Sequence, residues 1–219
     1  MTVPEEKRMR DCTAEELVEA LASKEPTPGG GAGAATAAAV GCALGEMVAN
    51  LTRHKRRYEE VQPKIEEYLP KLEELRGRMF TLAEEDAEAF RPLARAYRMP
   101  RDTEEEKEER TRVLEEALRQ ASEPPEHLME AICEAIVIVD DLTKIGSKMA
   151  LTDAGAGAAL LSASLKAACL NVFINAKAMK DRDYAEILVS RTQAMLEDGC
   201  AKADEAYLRV ERGIRWQRS

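Results

Sequence analysis

Apolar residues recur every three or four positions along most of the chain. Between residues 61 and 97 this period is kept by Leu72, Leu75 and Met79. Such spacing predicts amphipathic α-helices, and few stretches alternate apolar and polar residues as a half-buried strand would. The pattern therefore predicts an all-α protein, a bundle of long, roughly antiparallel helices in which residues 1–219 form a single domain.

Capping residues and prolines place the helix boundaries. Thr13 and Thr103 each precede a glutamate by three positions, which is the pattern of a capping box at a helix start. We expect Pro70 and Pro92 to interrupt or bend the third helix, because a proline removes a helical hydrogen bond. The proline pair 124–125 is expected to begin a new helix. The predicted helices cover approximately residues 13–23, 28–53, 61–97, 103–121, 124–144 and 152–180, with a last helix that starts after Asp181 or Asp183 and ends near Trp216.

The second predicted helix has an unusual start. It opens with one proline and three glycines, namely Pro28, Gly29, Gly30 and Gly31. We expect Thr27 to cap this helix and the proline to take its first position, where a missing N–H has no cost. The glycines are poor helix formers. They indicate either close packing against another helix or a backbone that approaches a bound ligand.

Two helices rich in small residues are predicted to be buried. In the second helix Ala37, Gly41 and Gly45 are spaced by four residues, which predicts a ridge without side-chain bulk for another helix to pack on. The apolar run there is short and is followed by Glu46, and the later apolar segment carries Lys166. A membrane span needs about 20 strongly apolar residues. We therefore expect two core helices and no membrane partner.

Several polar residues in these helices are candidates for chemistry. The basic run Lys55, Arg56 and Arg57 is either a solvated helix end or a clamp for a carboxylate or phosphate. Asp86 lies among apolar residues and forms either a salt bridge or a partly buried acid/base group. Asp153 is first a helix-cap candidate, with Thr152 as the alternative cap. The amides one turn apart in the later apolar helix need partners from another helix or from a ligand, and they are Asn171 and Asn175.

Composition and charge exclude several other classes of protein. The formal net charge is −9, which makes nucleic acid an unsuitable partner for the whole chain. The five cysteines are scattered without a paired motif, so we expect reduced thiols in a cytoplasmic protein, and the first 24 residues show no signal-peptide pattern. Neither His54 nor His127 has metal-ligand spacing, so no metal site is expected.

Several short motifs together resemble the cyclodeaminase/cyclohydrolase family of one-carbon folate metabolism. Each is weak alone, but they occur in the family's order along nearly the whole chain. At position 54 this chain has a histidine where the family more often has a glycine. The motifs are Pro-Thr-Pro-Gly-Gly-Gly at 26–31, Met-Val-Ala-Asn-Leu-Thr at 47–52, Lys-Arg-Arg-Tyr at 55–58, Asp-Ala-Glu-Ala-Phe at 86–90, Ala-Tyr at 96–97, Pro100 with 102–107, Asp-Ala-Gly at 153–155, and Leu-Asn-Val at 170–172 with Ile-Asn at 174–175.

The resemblance implies an all-α homodimer with a folate cleft at or near the subunit interface, in a form that lacks the formiminotransferase half. It implies that the glycines at 29–31 permit close approach of the pterin and that the basic run binds the glutamate tail of the folate. Asp86 and Asp153 are the implied catalytic carboxylates. The remaining implied binding residues are Pro28, Asn50, Tyr58, Asn171 and Asn175.

The resemblance also implies a reaction. We expect hydrolysis of 5,10-methenyltetrahydrofolate to 10-formyltetrahydrofolate, since the transferase half is lacking, with no cofactor beyond the tetrahydrofolate substrate. The close alternative is the formiminotetrahydrofolate cyclodeaminase reaction, in which N10 attacks the formimino carbon and ammonia leaves. Both pass through a tetrahedral carbon beside a cationic nitrogen, which a carboxylate stabilises. A third alternative is a helical folate-binding or scaffold protein without catalysis.

Overall fold

The computed structural model describes residues 8–215, and the predicted all-α class is confirmed. Within this range the chain forms six α-helices and three short 3-10 helices, and no strand occurs. The 3-10 helices are Met9–Asp11, Arg56–Val61 and Lys148–Ala150. The α-helices are α1 (Ala14–Leu21), α2 (Gly30–Thr52), α3 (Gln62–Tyr97), α4 (Glu104–Ile145), α5 (Leu151–Ala178) and α6 (Arg182–Ile214).

Two of the predicted helix caps are confirmed, and so is the start of the last helix after Asp181. The hydroxyl oxygens of Thr13 and Thr103 accept hydrogen bonds from backbone N–H groups three residues ahead, at 3.2 Å in both cases. Both capping boxes are complete. The Asp181 carboxylate caps α6 by accepting from the Tyr184 N–H at 3.1 Å. The predicted end of this helix near Trp216 lies outside the described residues.

Two other predicted caps are wrong. α2 begins at Gly30, after Gly29 in an extended conformation (φ −122°, ψ −154°), so the preceding proline lies outside the helix and Thr27 does not cap it. α5 begins at Leu151, directly after the 3-10 helix Lys148–Ala150. Asp153 therefore already lies within the first helical turn, where a cap residue cannot be.

None of these prolines ends a long helix, so the predicted helix start at 124–125 is wrong, and the interruption offered as one outcome for Pro70 and Pro92 does not occur. α3 continues through Pro70 and Pro92, and α4 continues through residues 124–125. Because Pro125 has no N–H, the Ala121 carbonyl loses its helical partner. The side-chain amide of Asn175 donates to that carbonyl at 2.9 Å. A contact between helices thus replaces the missing hydrogen bond, and α4 remains one helix of 42 residues.

Consecutive long helices run antiparallel, as predicted, and glycines set their closest approach. A Cβ at Gly41 of α2 would lie 2.9 Å from Cγ of Leu161 and 3.1 Å from the Gly157 carbonyl of α5. A Cβ at Gly45 would lie 2.9 Å from Val139. The predicted small-residue ridge is confirmed at Gly41 and Gly45, whereas Ala37 is only partly buried.

Two segments, Gly30–Thr52 and Lys148–Ala178, are long and apolar enough to cross a membrane by length and composition. They pack side by side, and about half of each apolar window is buried inside the bundle. The same composition is found in core helices of globular proteins. On the outer face of α2, Val40, Met47 and Leu51 are exposed.

Candidate active site

A cleft of about 170 Å³ lies where the start of α2 meets the later halves of α3 and α5. Seven of the predicted site residues line it together. Ile174 of α5 and Phe90 of α3 form parts of its apolar wall. The predicted residues in the cleft are Pro28, Gly29, Gly30, Gly31, Asp86, Asn171 and Asn175.

Asp86 is the ionisable residue of this cleft. Its carboxylate lies over Gly31, where an added Cβ would overlap the carboxylate oxygen. No cation among residues 8–215 forms an ion pair with it, so the salt-bridge alternative does not hold. Burial raises the pKa of Asp86 from 3.8 to about 6. A carboxyl group with this pKa exchanges a proton readily near neutral pH.

The glycine-rich turn supplies hydrogen-bond donors beside this carboxylate. The first helical backbone bond of α2 runs from the Gly33 N–H to the Gly29 carbonyl at 3.1 Å. The N–H groups of the preceding turn have no helical acceptor, which is the rule at a helix start. Glycine at position 31 leaves room for Asp86 directly against this turn. A ligand carbonyl and a cationic carbon could be held side by side here.

The two amides in the cleft have different roles. Asn175 is held by its bond to the Ala121 carbonyl, so its amide group joins α5 to α4 at the proline pair. Asn171 makes only a long 3.4 Å bond to Ala167 of its own helix. Asn171 is therefore the amide that can turn toward a ligand, whereas Asn175 is at least partly structural.

The other predicted site residues lie at the opposite end of α2. Lys55 donates to the Ser147 hydroxyl at 3.3 Å, and the Tyr58 hydroxyl accepts from the Lys148 N–H at 3.1 Å. That N–H holds the pKa of Tyr58 below its usual range. These contacts join residues 55–58 to the loop before α5. The residues grouped at this end are Asn50, Lys55, Arg56, Arg57, Tyr58 and Asp153.

Within one chain the predicted site is thus divided between two ends of the bundle. α2 has 23 residues, which corresponds to a length of about 34 Å. Asp86 lies beside the first turn of this helix, and Asp153 follows the loop that contacts its last turn. The two implied catalytic carboxylates therefore do not meet within one chain.

His54 adopts the left-handed backbone conformation, with φ of 57°. Glycine reaches this region without a steric penalty, while histidine does so at some cost. Its N–H donates to the Gln62 side chain at 2.8 Å, which holds the turn after α2. The left-handed conformation at position 54 therefore explains why the family more often has a glycine there.

Metal ligands are not grouped in the described part of the chain. Within residues 8–215, no set of three or more histidine, cysteine, aspartate or glutamate side chains is arranged to hold a metal ion. The five cysteines are free, and Cys42 and Cys169 are buried. Burial raises the pKa of the Cys42 thiol to about 12, so this group is an unreactive part of the core.

Comparison with known proteins identifies the family. Residues 13–194 match the family described as formiminotransferase-cyclodeaminase. The chain belongs to this family. It is 36% identical over 199 residues to methenyltetrahydrofolate cyclohydrolase of Methylorubrum extorquens, covering 91% of this chain and 96% of the relative. It is 29% identical over 198 residues to formimidoyltransferase-cyclodeaminase of Rattus norvegicus, covering 90% of this chain but only 37% of the rat protein.

A solved structure has the same fold as this chain. Formiminotetrahydrofolate cyclodeaminase of Thermotoga maritima superimposes with a TM-score of 0.79 at 32% identity, covering 94% of this chain and 99% of that chain. The family predicted from the sequence motifs is therefore confirmed.

Proposed function

We propose that this protein hydrolyses 5,10-methenyltetrahydrofolate to 10-formyltetrahydrofolate in the cleft around Asp86. The observation that carries the proposal is a carboxyl group with a pKa near 6, unpaired with any described cation, against the glycine turn of α2. A cationic methenyl carbon would be stabilised by this carboxylate. The 36% identity with a methenyltetrahydrofolate cyclohydrolase supports this substrate.

Asp86 would act first as a base and then as an acid. Its carboxylate takes a proton from water as the water oxygen bonds to the methenyl carbon, which gives a neutral tetrahedral adduct. The bond from that carbon to N5 then breaks, and Asp86 returns its proton to N5. The hydroxyl proton of the adduct leaves to solvent as the formyl C=O forms on N10. Water and the folate are the only reactants, so the proposal needs no further cofactor.

The cyclodeaminase reaction is the second candidate. The rat relative and the Thermotoga structure both carry a cyclodeaminase name, and the structure covers nearly the whole chain. In that reaction Asp86 would take the N10 proton as N10 bonds to the formimino carbon, and would give it to the departing ammonia. The position of Asp86 inside the cleft disfavours the third alternative, a protein that binds folate without catalysis.

The two reactions are separated by two assays on one preparation. In the first, loss of the methenyl absorbance of 5,10-methenyltetrahydrofolate is followed against an enzyme-free blank. In the second, 5-formiminotetrahydrofolate is supplied and released ammonia is measured. Accelerated hydrolysis without ammonia release supports the cyclohydrolase. Ammonia release with appearance of methenyl absorbance supports the cyclodeaminase. If folded protein shows no activity in either assay, the proposal that it is a folate enzyme is overturned.

We further propose a homodimer formed by α2. Its outer face carries an apolar row, the α2 seam, in which Val40, Met47 and Leu51 are 49%, 46% and 37% exposed. The row has alternating spacings of four and three residues, which is the repeat of helices that pack on each other lengthwise. The side chains in the first half of the row are smaller than those in its second half. The α2 seam consists of Gly33, Ala37, Val40, Leu44, Met47 and Leu51.

This distribution of sizes fits a second copy in antiparallel orientation. In that arrangement the small residues at the start of one helix face the large residues at the end of the other. The end of α2 in one subunit would then approach the cleft of its partner, with the loop before α5 beside it. The two groups of predicted site residues would be reunited across the interface, and Asp153 would be the second carboxylate.

Met47→Glu is expected to convert the dimer to a monomer, because a buried unpaired charge costs several kcal/mol, or more than about 100-fold in dimer affinity. Val137→Glu on α4 is the control, since Val137 has a similar exposure of 50%. Sedimentation equilibrium measures the oligomeric state of the wild-type protein and of both variants. A monomeric wild-type chain, or a dimeric Met47→Glu variant, contradicts the α2 interface. Wild-type flotation with phosphatidylcholine vesicles, abolished by Met47→Glu, assigns the seam to a lipid surface instead.

A cytoplasmic location is also part of the proposal. The five cysteines remain free, which suits a reducing compartment.

A further inference from the structure

A second cavity, the α4–α5 pocket, lies between the beginning of α4 and the end of α5. Its volume is about 320 Å³. Four of its eight lining residues are cations and one is acidic, in a chain whose formal net charge is −9. It is lined by Arg101, Lys107, Arg110, Thr111, Leu114, Glu115, Ala178 and Lys180.

Lys107 of the α4–α5 pocket is paired with the exposed Glu104 at 2.6 Å, but two arginines there have donors without an acceptor. Arg110 gives one guanidinium N–H to the Tyr97 carbonyl at 3.3 Å, but its Nε is buried without a hydrogen-bond partner. Arg101 is exposed and forms no ion pair with the described residues. A buried charged donor without a partner is costly. The arrangement thus favours an anion with several oxygen atoms.

The one acid of the pocket is already engaged. The Glu115 carboxylate accepts from the backbone N–H groups of Lys180 and Asp181, at 2.7 and 3.2 Å. It therefore fixes the turn between α5 and α6, and its single negative charge leaves the four cations of the lining in excess. Lys180 donates to the Thr111 hydroxyl at 3.0 Å, which places its ammonium group at the pocket wall.

This pocket lies one turn of α5, and two turns of α4, beyond the candidate active site. Ile174 lines the cleft and Ala178 lines the pocket, and both are exposed on the same face of α5. On α4 the corresponding residues are Ala121 and Leu114, separated by seven residues or about 10 Å. A ligand in the cleft can thus extend along α5 into the basic cavity.

We propose that the α4–α5 pocket binds the glutamate carboxylates of the folate whose one-carbon end lies beside Asp86. The inference rests on the proposed function. With N5 and N10 at Asp86, the aminobenzoyl group lies over Ile174 and the glutamate reaches Arg101, Lys107 and Arg110. This assigns the tail to the same subunit as the cleft. It replaces the role that the resemblance gave to the basic run at residues 55–57.

Calorimetric titration of two ligands tests this assignment. 5-Formyltetrahydrofolate and 5-formyltetrahydropteroate share the ring system, and only the former carries glutamate. We expect wild-type protein to bind the folate about 30-fold more tightly, since the glutamate adds charge-assisted hydrogen bonds to the pocket cations. In Arg101→Ala/Lys107→Ala this preference should fall about tenfold, with pteroate affinity unchanged within about twofold.

Two further variants make the result specific. Arg112→Ala, on the same helix but outside the pocket and paired with Glu109, should keep the preference. Arg56→Ala/Arg57→Ala should also keep it. If the latter variant loses the preference instead, or if wild-type protein shows none while binding both ligands, the pocket assignment is overturned and the proposed function stands. Failure of wild-type protein to bind either ligand overturns both.

Discussion

The Asp86→Asn variant is expected to lower kcat of the folate reaction by about 10²- to 10⁴-fold, the usual contribution of a positioned acid/base group. The amide is close in size to the carboxyl group but can neither take a proton from water nor return it to N5. Substrate affinity should change less, because the backbone turn at Gly31 remains. The same assay on wild-type protein should show kcat/KM falling below about pH 6, as Asp86 becomes protonated.

The same variant should be more stable than wild type above pH 6. Since burial raises the pKa of Asp86 from 3.8 to about 6, the folded state holds this proton more tightly than the unfolded state. Stability therefore falls as the pH rises from about 4 to 6 and stays lower above that. Asp86→Asn removes this loss and should gain about 2 kcal/mol at pH 8, after allowance for partial exposure, but little at pH 4.

Urea unfolding at the two pH values and steady-state kinetics together test the role of Asp86. Glu88→Gln is the matched control, because Glu88 is an exposed acid on the same helix. It should change neither turnover nor stability appreciably. An Asp86→Asn variant with wild-type turnover would show that the carboxyl group does not transfer protons. A variant that loses turnover by unfolding would show a structural role instead.

Gly41→Val is expected to lower the free energy of unfolding by about 3 kcal/mol. The added Cβ would lie 3.1 Å from the Gly157 carbonyl and 2.9 Å from Leu161. A leucine side chain can adjust, but a backbone carbonyl inside α5 moves only with its helix. α2 and α5 would have to separate along the contact that brings the glycine turn to Asn171.

Gly77→Ala is the control for this effect. Gly77 is also inside a helix, but a Cβ there meets nothing within 4 Å. Alanine should raise stability by roughly 0.5–1 kcal/mol, because glycine is the poorer helix former. Urea unfolding of both variants gives the comparison. A Gly41→Val variant as stable as wild type would mean that the two helices are not held at this distance by the glycine.

Much of the fold could be predicted from local pattern, and the errors occurred where contacts between helices replaced local rules. The capping boxes at Thr13 and Thr103 were predicted because all their hydrogen bonds lie within four residues. The proline pair in α4 was misinterpreted as a helix start. Its missing bond is compensated by Asn175, 54 residues away, which no local pattern reveals.

The candidate site was also predicted only in part, because local motifs indicate its residues but not the contacts between helices that position them. Motifs indicated the glycine turn, Asp86 and the two amides, and the structure brings these together. Their separation from residues 55–58 by the length of α2 was not predicted. Spacing along the chain does not reveal at which end of the helical bundle each motif lies. The α4–α5 pocket was missed entirely. Its cations come from three separate stretches, each with acidic neighbours, so no local excess of charge marks them.

The most direct test of the account is the position of a bound folate analogue. A crystal structure with 5-formyltetrahydrofolate is expected to show the formyl carbon beside the Asp86 carboxylate, with the pterin against residues 29–31. An analogue whose formyl group lies away from Asp86, at the far end of α2 with no cleft contact from either subunit, would contradict the proposed active site.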